Sequence, residues 1–98
     1  MGAYFALDRF EECLEYAERS VQKAPRIQYF VVYRIVCLVQ LGRVDEARAV
    51  ARQLVERHPR FTVPRWSALT RAAQDARKSA SIEQALRAAG LPAPGPDA

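Results

Sequence analysis

No apolar run in this chain reaches the ~18–20 residues that a membrane span requires. The longest, Tyr29 to Gly42 (YFVVYRIVCLVQLG), is interrupted by Arg34 and Gln40. The opening stretch MGAYFALDRFEE has neither a basic leader nor a long apolar centre, so no signal peptide is expected. Gly2 is not followed by the Ser or Thr of a myristoylation site. Cysteine is scarce. Cys13 and Cys37 have no paired spacing, which excludes a disulfide framework and suits a reducing, cytoplasmic compartment. Both fall on apolar helix faces and are expected to be buried free thiols. His58 is the single histidine, and no Cys/His/Asp cluster has ligand spacing, so no metal site is expected. Ser20, Ser67, Ser79 and Ser81 lack a nucleophile elbow. Glu11-Glu12 and Asp45-Glu46 stand early in helical patterns, where acids complement the helix dipole. No nucleotide-binding glycine loop is present. The chain is therefore expected to have no cofactor and no catalytic activity.

What is present is a small globular composition. Ninety-eight residues make one domain at most, with 50% apolar and 27% charged side chains. The net charge of +4 is unevenly placed. Residues 1–25 carry three basic and five acidic side chains, and residues 26–78 carry eleven and four. Thirteen of the fifteen basic residues are Arg.

Taken alone, Tyr29–Gly42 is ambiguous, because Val31, Val32, Ile35, Val36 and Val39 also suit a buried strand. Its neighbours decide for a helix. Gly2 to Leu7 reads as the last turns of one helix. From Phe10, the residues Cys13, Leu14, Ala17, Val21 and Ala24 follow at helical spacing, until Pro25 stops the pattern. Glycine at 42 ends the central run. Val44, Ala47, Ala51, Leu54 and Val55 form a third stripe that ends at His58-Pro59. Residues 61–78 are expected to form another helix, with Pro64 in its first turn. A break is expected at Ser79-Ala80-Ser81, with Ser81 capping a last helix that buries Ile82, Ala85, Leu86 and Ala89. Gly90-Leu91-Pro92 ends it, and PAPGPDA is expected to be disordered.

The stripes recur at a fixed interval. Phe10 and Val44, Glu12 and Glu46, Cys13 and Ala47, Ala17 and Ala51, and Pro25 and Pro59 are each 34 residues apart. That is the tetratricopeptide (TPR) period. Residues 2–60 resemble TPR repeats. GRVDEARAVARQLVERHP is similar to the second helix and closing turn of a repeat, and DRFEECLEYAERSVQKAP matches it less closely. Arg34 stands where the family has a buried leucine, so either the register shifts locally or its guanidinium reaches an acidic partner. The segment from Leu41 to Trp66 and the later LRAAGLP resemble the C-terminal TPR tails of bacterial adenylate/guanylate cyclases and winged-helix regulators.

The resemblance implies an all-α array of five to six helices. It comprises a partial repeat over 1–27, a full repeat over 28–61, a C-terminal helical pair over 62–91 and a tail over 92–98. It also implies a cytoplasmic, non-catalytic scaffold for protein–protein interaction. In a TPR the first helices line a concave groove that takes a protein or peptide partner. Here that wall would be Phe5, Tyr29, Val32, Val36, Gln40 and Trp66. Val32, Tyr33, Val36 and Val39 stand where a carboxylate clamp would need Lys and Asn, so recognition of an acidic C-terminal peptide is not expected. With so few repeats, Tyr4, Phe5 and much of Tyr29–Val39 would lie uncovered in a monomer. A homodimer, or a neighbouring domain of a parent protein, is the expected cover. The alternative is a basic helical module binding nucleic acid through Arg43, Arg48, Arg52, Arg57 and Arg60, a reading weakened by the acids between them.

Overall fold

The structure, a computed structural model, describes residues 9–25, 27–70 and 76–92, and the side chains of all of these except 67–70 and 76–79. Every regular element among them is a helix: α1 Phe10–Lys23, α2 Gln28–Gln40, α3 Val44–Arg57, α4 Val63–Thr70 and α5 Ala76–Ala88. No helix among the described residues is long and apolar enough to cross a membrane. Tyr4 and Phe5 lie outside the described residues, as do positions 93–98 of the tail.

The 34-residue interval is visible in the helix ends. Phe10 to Val44 and Lys23 to Arg57 are both steps of 34. Each of these helices is preceded by an arginine that reaches forward to a glutamate. Arg9 Nε lies 2.9 Å from Glu12, and Arg43 Nη2 lies 2.7 Å from Glu46. Each helix stops at a residue before proline. The proline ring forces Ala24 and His58 out of helical geometry, with φ near −140° and −131°. Their amides still donate back, to Ser20 and Leu54, at 2.8 Å.

Glycine ends the other two caps. Gly42 has φ +79° and donates to the Val39 carbonyl, while Arg43 N–H donates to Leu38 at 2.8 Å. Gly90 repeats the arrangement with φ +85°, bonding Arg87, while Leu91 bonds Leu86. These paired bonds satisfy carbonyls that a helix end leaves open. A Cβ at either glycine would meet nothing within 4 Å, so only the left-handed backbone opposes substitution. Gly42→Ala and Gly90→Ala are each expected to lose about 1 kcal/mol, read as a lowered urea midpoint at unchanged slope.

α2 is the centre of the molecule. It packs against α1, α3 and α5, while α4 packs mainly on α5. Val32, Ile35, Val36 and Cys37 are fully buried, and Tyr33 and Leu38 nearly so. Cys13, Ala17, Ala47 and Ala51, all at 3% exposure or less, keep α1 and α3 close to it. From α5 come Ile82, Ala85 and Leu86, and from the residue after it Ala89, all buried. The Val63 amide donates to the Pro92 carbonyl at 2.8 Å, tying the start of α4 to the residues just past α5.

Two expectations are corrected here. Most of Tyr29–Val39 is covered within the chain, where α5 packs across α2 beside α1 and α3, and Tyr29 is the part left exposed. Tyr4 and Phe5, the rest of the surface on which the homodimer was argued, lie outside the described residues. Nor does Ser79-Ala80-Ser81 break a helix, since all three residues lie inside α5. Serine costs only a few tenths of a kcal/mol in a helix interior. Burying Ile82 and Leu86 at helical spacing outweighs that.

Candidate functional site

The turn between α3 and α4 is anchored by its apolar residues. Phe61, Val63 and Trp66 are 6%, 0% and 4% exposed. The Phe61 amide donates to His58 at 3.0 Å, closing the turn that Pro59 begins. Thr62 then caps α4. Its Oγ1 accepts from the Arg65 amide at 3.3 Å, and its carbonyl accepts from Trp66 at 3.0 Å. With Phe61 and Trp66 held inward, Arg60 and Arg65 stand exposed on either side of the turn, beside Arg57 at the end of α3.

These three arginines, with Gln28 from the start of α2, His58 and Trp66, line an open cavity of about 480 Å³. No carboxylate lines it. None of the three guanidinium groups makes an ion pair among the described residues. The cavity is therefore a concentration of uncompensated positive charge around a largely buried aromatic floor. Beside it a smaller crevice of about 50 Å³ shares Gln28, Arg57 and His58 and adds Arg34. Among the described residues Arg34 reaches no acidic partner at ion-pair distance, and its Nε is buried without a hydrogen bond. Its charge is felt at Glu46, whose carboxyl is held below the usual range, first by the hydrogen bonds from Arg43.

The six expected groove residues do not form one open wall. Tyr29 is half-exposed, and its ring lies 4.7 Å from that of Tyr33, which meets Trp66 edge to face at 6.5 Å. A ladder of three rings thus leads from the α2 surface to the cavity. Val32 and Val36 lie inside the core and offer nothing to a partner. Gln40 is exposed at the opposite end of α2. Phe5 lies outside the described residues.

The expected arginine patch also divides. Arg43 is paired with Glu46 and borders a different concavity, about 630 Å³, where Glu11, Glu15 and Glu18 gather. Arg52 lines a third hollow with Glu56. Only Arg57 and Arg60 remain together, joined by Arg65, which the sequence pattern had not connected with them.

Cys13 and Cys37 form no disulfide and are fully buried, hydrogen-bonded to each other across the α1–α2 contact. The Cys37 thiol is pushed up by that bond and by burial. Burial, and then a hydrogen bond with Tyr29, pushes up the Tyr33 phenol. The Tyr33 phenol is harder to ionise folded than unfolded, so the folded state retains its proton where the unfolded chain releases it. Its contribution to stability should be level below the ordinary value of 10.0 and fall as pH rises past it. The expected slope is about 1.4 kcal/mol per pH unit. Urea midpoints from neutral pH upward measure it, and a flat profile above pH 10 would contradict the buried placement of the phenol.

Comparison with protein-family models, curated proteins and solved structures finds no match to this chain.

Proposed function

We propose that the chain is a non-catalytic protein-interaction module of TPR-like helical hairpins, serving as a regulatory or assembly part of a bacterial signalling protein. The observation that carries the interaction reading is the cavity where α2, α3 and α4 meet. It combines exposed guanidinium groups, unpaired among the described residues, with a ring ladder that reaches the surface at Tyr29. Arginine and tyrosine are favoured anchors in protein interfaces. The volume lies within the ~300–1,000 Å³ of ordinary ligand sites. The repeated helix ends and arginine–glutamate pairs support the TPR-like part of the reading.

Nucleic-acid binding is less well supported. Of its arginines, Arg43, Arg52 and the pair Arg57 and Arg60 line three different concavities, and Trp66 and Phe61 are too buried to stack with bases. Selection of a randomised peptide library on the folded protein tests the interaction reading. Enrichment of a peptide family whose binding shifts the emission of Trp66, the single tryptophan, is the expected result. A selection that enriches nothing would remove the reading.

A further inference from the structure

We propose that the cavity between α3 and α4 receives a carboxylate-bearing segment of a protein partner, with Arg57, Arg60 and Arg65 holding its Asp or Glu side chains. The inference rests on the interaction reading and names the chemistry of the occupant.

Charge complementarity is the first argument. Three cations line one concavity, no carboxylate lines it, and none of the three is paired among the described residues. Like charges held together in this way favour an anion from outside. The orphaned Nε of Arg34 in the adjoining crevice adds a buried donor on the same side. Side-chain type is the second argument. All three are arginine, whose planar fork matches the two oxygens of a carboxylate.

Size and surroundings are the third. About 480 Å³ suits a few side chains rather than a long polyanion. At the far end of α2, a distance of ~20 Å at 1.5 Å per residue, Glu11, Glu15 and Glu18 would repel a nucleic-acid backbone running across the molecule. The turn also explains why the site differs from a TPR carboxylate clamp. The cations here come from the end of one hairpin and the start of the next, not from the walls of the groove, which α5 occupies.

The test uses a short capped peptide alternating Glu and Leu, its Gln twin, its phosphoserine twin and a single-stranded oligothymidine. Trp66 emission and calorimetry are the readouts. The Glu peptide should bind, more weakly as salt rises, and the Gln twin should bind at least about tenfold more weakly. Arg57→Gln, Arg60→Gln and Arg65→Gln should each weaken the Glu peptide by about five- to tenfold. Arg48→Gln, exposed and away from the cavity, should leave it unchanged. All four arginines are exposed, so an unchanged circular-dichroism melt is expected and verifies folding.

Equal binding of the Glu and Gln peptides would overturn the carboxylate assignment and leave the interaction reading standing. So would library-selected peptides that bind without acidic side chains. Binding of the phosphoserine twin alone, tighter binding of the oligothymidine, or no binding of the Glu peptide would also overturn the assignment. Only an empty library selection removes both readings.

Discussion

A chain carrying Val36→Glu should be unfolded in buffer at room temperature. Val36 is fully buried on α2, the helix that α1, α3 and α5 enclose. A carboxylate there lies among apolar neighbours, and an uncompensated buried charge costs several kcal/mol even after relaxation. A domain of this size has only ~5–15 kcal/mol to lose. Loss of the cooperative urea transition, followed by far-ultraviolet circular dichroism, is the expected result. The same substitution separates two pictures of α2. Were Val36 on a surface shared between copies, the variant would keep its helicity and lose only mass in light scattering. A folded monomeric variant of a dimeric parent would contradict the buried placement.

Leu86→Ala should cost about 2–5 kcal/mol, the range for truncating a fully buried leucine. At ~4–8 °C per kcal/mol for a domain of this size, the melting temperature should fall by about 10–40 °C. The result bears on whether α5 is part of the core or an appendage. If α5 is integral, the whole helical signal moves together to lower temperature, and the urea transition stays cooperative. A loss below about 1 kcal/mol, or a separate early transition, would mean that α5 is only loosely attached.

α1, α2 and α3 were legible because their signals are local. Pro25, Gly42 and Pro59 mark chain positions whose geometry follows from one residue's own stereochemistry. The stripes of α1 and α3 repeat at one interval, and so do their ends. The cover over α2 was not legible. Nothing near Val32 or Val36 announces that α5 will return to pack on α2, because that contact depends on how a hairpin turns in space. The serines at 79 and 81 misled for a related reason. Their local preference for caps is small beside the burial of Ile82 and Leu86, which only the tertiary arrangement supplies. The cavity was half legible. Arg57 and Arg60 stood out as basic residues, but their grouping with Arg65 and separation from Arg43 and Arg52 depend on the His58–Thr62 turn. A visible signal was the alternation of arginine with anchored aromatics, Arg57, Arg60, Phe61, Arg65 and Trp66.

The return of α5 over α2 sets a delay during synthesis. The ribosome completes α2 at Gln40 and α5 only at Ala88. At ~5–20 residues per second, the newborn chain waits about 2–10 s for its last helix. Through that interval the centre of the domain has α1 and then α3 for cover, and the third side is open to water, to chaperones and to other nascent chains. Yield in the cell is therefore governed by that wait as well as by the stability of the finished fold, and conditions that slow elongation through residues 41–88 lengthen the exposure.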